Sequence, residues 1–442
     1  MTTRLIPVLA SVAVVVAGCA SARATGSTGA AAVVPSSATA FVSGDTGGDW
    51  HGLETLLPAE WQGVRRIAGR VDVAVLHDKK TVAFVQPKDE GALADFVRKH
   101  RLVTRPIGAW TAVAHDGAAL DEVEAAKTHL VDNERFREAM DALPGDARVR
   151  AYANGEEAGR LFAAIPGQLE ARVVPPGAKF TLKPTTNGNR SVAIGVQQFP
   201  WLAASLSSNG DGVKLDVFAP RGELVASQPP RLVIKPTEPY QSALVDEIPA
   251  GALAVVDVQL PDGAFELLER LPKRLIDLLG GNDPASLPNE LDAIMGGETA
   301  LYVRPSVPMP EVTLVTQPSD TAAASKTLDS LLRDSPQLAR TKLYRAVIGG
   351  QFVVSTTQAG IDAFRAGGAK LSSDPTFLEA KKKSGMPDRT TGFAYVNAKD
   401  ALPLLALAGV KVPAGAAGVR TVAAYGFEDG GRSRLSAFLG VG

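Results

Sequence analysis

Apolar residues recur along Val71-Asp72-Val73-Ala74-Val75-Leu76, stop at Asp78-Lys79-Lys80, and resume through Thr81-Val82-Ala83-Phe84-Val85. Extended apolar runs on either side of a short polar stop predict strand, tight turn, strand. Asp89 then reads as an N-cap before Glu90 to His100, where Leu93, Phe96 and Val97 share one helical face. Upstream, Ala40-Phe41-Val42 predicts a strand and Ser43 to Asp49 the Gly- and Asp-rich turn after it. Trp50 to Ile67 carries Leu53, Leu56, Leu57 and Trp61 at helical spacing, divided by Pro58. The plan that emerges is strand, strand, helix.

The second half of the chain follows the same plan. Phe84-Val85-Gln86-Pro87-Lys88-Asp89 corresponds to Val315-Thr316-Gln317-Pro318-Ser319-Asp320, each leading into an Ala- and Leu-bearing helix. Ala109 to Ala114 corresponds to Gln351 to Thr356, Asp132 to Phe136 to Ser373 to Phe377, and Tyr152-Ala153-Asn154 to Tyr395-Val396-Asn397. Val34-Pro35 through Phe41-Val42 corresponds to Ile248-Pro249 through Val255-Val256. Each half closes on a hairpin pattern. Leu202–Ser207 and Val213–Phe218 flank Asn209-Gly210-Asp211-Gly212, and Val422–Phe427 and Arg434–Leu439 flank Asp429-Gly430-Gly431. The first half carries an extra piece near Ile165–Asn189. The expected fold is α+β: two tandem copies of a mostly antiparallel sheet unit with helices packed on one face. Duplicated units of this kind leave a seam where a cleft is expected.

The amino terminus has a different pattern. Arg4 precedes an apolar run from Leu5 to Val16 that is broken only by Pro7 and Ser11, and Val16-Ala17-Gly18-Cys19 follows. About a dozen apolar residues fall short of the roughly 20 that a membrane span needs. They fit a signal h-region. Two small residues before the chain's single cysteine make this a lipobox. Cys19 is the expected lipidation site, with acyl chains tethering the protein to a membrane. The alternative is an ordinary secretory signal cleaved near Ala20 or Ala22. The expected organisation is a signal peptide over 1–18, a flexible tether over 19–34 and a first repeat over 35–228. A Pro-rich linker over 229–241 and a second repeat over 242–442 complete it. The expected location is exported and lipid-anchored, on the outer face of the cytoplasmic membrane or in an outer membrane where there are two.

Charge and cysteine content narrow the function. With 46 basic and 47 acidic residues, the net charge of −1 provides no basic field for nucleic acid. With Cys19 acylated, the body has no thiol for a disulfide, a metal or a nucleophile. The five histidines, His51, His77, His100, His115 and His129, all fall in the first half, and no two stand at i, i+4. Zinc-hydrolase spacing is therefore missing. Neither a Gly-x-Ser-x-Gly elbow nor a Lys-Thr-Gly box occurs. Asp45 and Asp49 lack the alternating acids of a calcium loop, and Gly280-Gly281-Asn282-Asp283 has no following Lys-Ser or Lys-Thr for phosphate. Lys381-Lys382-Lys383 reads as a solvated helix face with Phe377 and Leu378 turned inward. Trp50, Trp61, Trp110 and Trp201 read as core. No cofactor and no metal are expected.

The start Val34-Pro35-Ser36-Ser37-Ala38-Thr39-Ala40-Phe41-Val42, then Trp50, Val82 to Asp89, Asp132 to Phe136, Tyr152-Ala153-Asn154 and the second-half echoes together resemble the bacterial family called "domain of unknown function 3352". The resemblance spans most of residues 33–440. It implies an envelope-associated protein without assigned functional residues. The expected function is a non-enzymatic binding or interaction module. Its expected partners are the membrane through Cys19 and either an apolar ligand or an envelope protein. The alternatives are a hydrolase using the His-bearing first repeat and a structural lipoprotein of an envelope complex.

Overall fold

The computed structural model describes residues 29–46, 64, 66–155, 200–221, 224–225, 233–234, 237–260, 287–307, 310–334, 342–407, 412, 416 and 418–442. The lipobox with Cys19, the first part of the tether, Asp49 to Gly63 with Trp50, His51 and Trp61, the 165–189 piece and Gly280 to Asp283 lie outside the described residues.

Sixteen strands form one antiparallel sheet. The first half contributes β1 (Ala40–Asp45), β2 (Ala68–Val75), β3 (Thr81–Pro87), β4 (Val103–Ile107), β5 (Trp110–Ala114), β6 (Val149–Asn154), β7 (Trp201–Asn209) and β8 (Gly212–Pro220). Two short strands, β9 (Leu224–Val225) and β10 (Val233–Ile234), pair only with each other. The second half contributes β11 (Ala254–Gln259), β12 (Glu298–Arg304), β13 (Glu311–Thr316), β14 (Tyr344–Ile348), β15 (Gln351–Ser355), β16 (Gly392–Val396), β17 (Val419–Asp429) and β18 (Arg432–Val441). The order across the sheet is β14-β15-β13-β12-β11-β16-β17-β18-β8-β7-β6-β1-β2-β3-β5-β4. Read inward from either edge, the sequence of strands has the same form.

The middle of this sheet is the β8–β18 ladder. Gly212 lies opposite Gly440, Asp216 opposite Ser436 and Pro220 opposite Arg432. Each strand leaves a two-residue turn, so Asp216 and Ser436 hold the same place in their respective hairpins. The halves therefore join by backbone hydrogen bonds through the last strand of each, and the cleft expected at the seam is replaced by a ladder.

Helices cover both faces of the sheet, which corrects the expectation of one. In β5, Trp110, Ala112 and Ala114 join one core cluster and Val113 joins another. Alternate residues of a strand point to opposite faces, so both faces are buried. One face carries α2 (Gly117–Glu124) and α3 (Glu134–Asp141), with Phe41, Phe84 and Phe136 in its core. The other carries α1 (Glu90–His100), whose Leu93 packs on Val71, Val73 and Val85. In the second half, α6 (Gln358–Arg365) and α7 (Pro375–Ser384) cover the first face. α4 (Leu287–Met295) and α5 (Thr321–Asp334) cover the second. α8 (Ala398–Leu407) starts at the Asn397 cap and packs near β17.

The expected Asp89 cap is present. Asp89 Oδ1 accepts from the Ala92 amide, and Asn133 and Asp374 cap α3 and α7. Phe136 meets Tyr152 edge-on at 5.2 Å, and Phe377 meets Tyr395 in the same way at 5.2 Å. Two further expectations need correction. The expected tether over 19–34 ends earlier: Gly29–Ala32 is a 3-10 turn, and Ala30, Ala31 and Val34 are fully buried. Small apolar side chains composed like a linker fit a tight space under β1. Leu378 points outward, because Phe377 and Ala380 already occupy the inner face of α7.

Candidate functional site

The most distinctive hollow among the described residues lies between α1 and the sheet. Val71 and Val73 of β2, Ala83 and Val85 of β3, Val113 of β5, and Leu93, Phe96 and Leu102 from α1 and its exit surround about 120 Å³. Val64 and Ile67 close one side, and Thr81 is its only side chain with a polar group. The site follows from local sequence. β3 and β5 are apolar at consecutive positions, so their second face needs a cover. The Asp89 cap starts α1 just after β3 and lays Leu93 and Phe96 across that face. The residues beneath are Ala and Val, which leave the space unfilled. An apolar cavity of this order has room for a molecule about the size of benzene. A wider hollow of about 440 Å³ beside α8 has Lys399 and Arg420 on its wall.

A second site is polar. Asp257 of β11 and Glu298 of β12 are buried acids joined by one hydroxyl. Ser242 Oγ lies 2.9 Å from Asp257 Oδ2 and 2.7 Å from Glu298 Oε1. The Tyr240 hydroxyl donates to Asp257 Oδ1. Amides of Ala243 and Leu244 donate to Glu298 at 3.1 and 3.0 Å. Ser242 has a single proton for two carboxylates. The pattern closes when Asp257 carries a proton and gives it to Ser242, which passes its own to Glu298. Burial, with the nearby Glu298 charge adding to it, pushes the Asp257 carboxyl up to about 7. The same environment pushes the Tyr240 hydroxyl upward. In the first half Asp72 does the corresponding work, accepting the Ala30 amide at 2.7 Å beside Arg70. Burial raises its pKa and Arg70 opposes the rise. Both acids hold an entering chain segment to the sheet. Beside Ser242 a polar cavity of about 120 Å³ reaches Lys381 and Asp388, which pair at 2.7 Å.

The third cluster marks the middle of the sheet. Arg434 contacts buried Asp216 through Nε at 3.2 Å and through Nη2 at 3.0 Å. Its guanidinium lies between Phe218 and Phe427, 4.8 and 4.9 Å from their centres. The Ser436 hydroxyl donates to the same carboxylate. Lys214 lies over Tyr425.

The histidines stay apart. His77 is exposed in the β2–β3 turn, the His100 ring lies tilted against Phe96 with centres 4.4 Å apart, and His115 lies exposed after β5. The His129 backbone amide donates to Asp132. No described histidine side chain bonds to a serine or a carboxylate, and no group of three or more His, Cys, Asp and Glu among the described residues could hold a metal. Of the predicted lysines, Lys381 pairs with Asp388 and Lys383 with Glu379 and Asp211, so two of the three are tied rather than free. Trp110 and Trp201 are core, as expected. The apolar cavity and the buried acids were absent from the sequence reading. Consecutive apolar residues in β2 and β3 were the available sign of a second buried face.

These features define an α+β protein with one wide antiparallel sheet and an apolar cavity under a first-half helix. No family model and no curated protein matches the chain. One solved structure, described as "Structure of crystal form I of TP0453", is 12% identical, covering 47% of this chain and 92% of that one with a TM-score of 0.26. A TM-score this low establishes no common fold. No helix among the described residues is long and apolar enough to cross a membrane, which says nothing of β-barrels.

Proposed function

We propose that this is an exported, lipid-anchored cell-envelope protein whose body is a non-enzymatic binding module built from two copies of one α+β unit. The observation that carries the reading is Val16-Ala17-Gly18-Cys19 at the end of the h-region. The packed start of the body at Gly29 supports it, since it leaves a short tether of residues 20–28 between the acylated cysteine and the sheet. That tether spans at most about 30 Å at 3.3–3.6 Å per residue. The body is then held close to lipid.

The strand order, which reads alike from both edges, supports the two-copy reading, as does the β8–β18 ladder between equivalent strands. The family called "domain of unknown function 3352" stays part of the proposal. The apolar cavity supports a binding role. A hydrolase in the first half finds no histidine partnered with serine or carboxylate among the described residues, although His51 lies outside them.

The test is metabolic labelling with an alkyne palmitate in cells producing the full chain or Cys19→Ser. The label is expected on the wild-type protein in the membrane fraction and absent from Cys19→Ser. Equal labelling of both, or an unlabelled wild type, would overturn the anchor.

A further inference from the structure

We propose that the outer edge of β14 pairs with β14 of a second copy of this chain, making one sheet that runs through both. β14 is one end of the strand order and β4 is the other. The two hairpins are built alike. Ile107 lies opposite Trp110 across Gly108-Ala109, and Ile348 lies opposite Gln351 across Gly349-Gly350. Residues flanking a two-residue turn share both hydrogen bonds, and the pattern then alternates along the strand. The Thr356 amide donates to Val312 O, which fixes the same phase from the other side of β15. Tyr344, Ala346 and Ile348 therefore bond to β15, and Arg345 and Val347 direct their amides and carbonyls away from it. The corresponding outward positions of β4 are Thr104 and Pro106.

That is where the two edges differ. Pro106 has no amide hydrogen, and a proline on an outer edge stops further strand pairing. Val347 in the same place keeps its donor. It is 54% exposed, Arg345 is exposed too, and among the described residues no strand lies beside them. A row of free amides and carbonyls takes an extended strand. The sequence of β14 fits a copy of itself. About a two-fold axis at Ala346, antiparallel pairing sets Arg345 opposite Val347, Ala346 opposite Ala346 and Tyr344 opposite Ile348. Arg345 and Val347 then exchange their outward bonds on each side of the axis. Like charges do not face each other, and each arginine is already paired with Asp329 of its own copy. The arginine stem covers the Val347 side chain opposite. The chain joins its own halves in the same manner, edge to edge and antiparallel through β8 and β18.

The test is disulfide trapping in the detergent-extracted full chain carrying Ala346→Cys. Residues that face each other as a non-hydrogen-bonded pair have Cα atoms about 4.5 Å apart, close enough for a disulfide. Val347→Cys puts its two thiols on a diagonal of about 7–8 Å, out of reach of one. Under a mild oxidant, peptide mass spectrometry is expected to find a disulfide between the two copies of position 346, at least tenfold above the product at position 347. In sedimentation velocity the wild type is expected to shift from monomer to dimer as its concentration rises.

Val347→Pro copies the edge of the first half. It removes an amide without a partner among the described residues, so the melting temperature is expected to hold while trapping through Ala346→Cys falls at least tenfold and the dimer is lost. If the proline lowers the melting temperature, Val347→Lys, which sets a lysine opposite Arg345, carries the comparison. No product at 346, an equally abundant product at 347, or undiminished trapping in a folded edge variant would overturn the inference. So would a wild type that stays monomeric at every concentration, or a thiol at 346 trapped only to a different protein. None of these readouts involves acylation of Cys19, so the edge and the anchor fail separately.

Discussion

Raising the pH from about 4 to neutrality should weaken the second half, and Asp257 is the cause. Its carboxyl is fully buried, receives the Tyr240 hydroxyl and shares Ser242 with Glu298. Burial raises its pKa from 3.8 to about 7. The folded chain therefore binds one more proton than the unfolded chain between those limits. Stability attached to this group is complete below the unfolded value and is lost as pH rises through the folded one. One proton sets a slope of about 1.4 kcal/mol per pH unit, and three units give at most about 4 kcal/mol. Asp257→Asn removes the titration while keeping the pattern. Its carbonyl accepts from Tyr240, and its amide donates to Ser242 as the protonated acid does. Urea unfolding followed by circular dichroism at pH 5, 6, 7 and 8 should show wild-type stability falling across the series. The variant should lose less of it. Identical pH slopes for the two proteins would refute the proton assignment.

Arg434→Ala strands the buried Asp216 carboxylate and empties the space between Phe218 and Phe427. A loss of about 3–5 kcal/mol in urea unfolding is expected, and a loss under 1 kcal/mol would show that Lys214 and Ser436 suffice. Asp374→Ala removes the acceptor for the Thr376 and Phe377 amides and for Gly251 across the fold. It should cost about 1–2 kcal/mol by the same assay, more than a solvent-facing Asp246→Ala control. Gly360→Ala is expected to destabilise measurably by thermal melting, because a Cβ there would meet Ser355 Oγ at 2.1 Å and Glu311 Cδ at 2.9 Å. The corresponding helix α2 carries Ala119 at this place without difficulty, facing Ala114 rather than a serine.

The legible parts of the fold were those set by neighbouring residues. The β2–β3 and β7–β8 hairpins and the Asp89 cap follow from apolar runs, turn residues and spacing within a few dozen positions. The second buried face is marked by no turn residue or cap. β2 is buried at Val71, Asp72, Val73 and Ala74 in succession, and such runs belong to a sheet covered on both sides. Asp72 and Asp257 were hidden for the related reason that an acid inside an apolar strand reads as its solvent side. Only the arriving amides and hydroxyls show that each is an anchor.

The remaining features depend on long-range pairing. Ser436 meets Asp216 across 220 residues, and no local pattern in β8 or β18 names its partner. The cavity under α1 is subtler, since each of its residues is ordinary in its own strand or helix. Its lining comes from β2, β3, β5 and α1 together, so no single segment marks it.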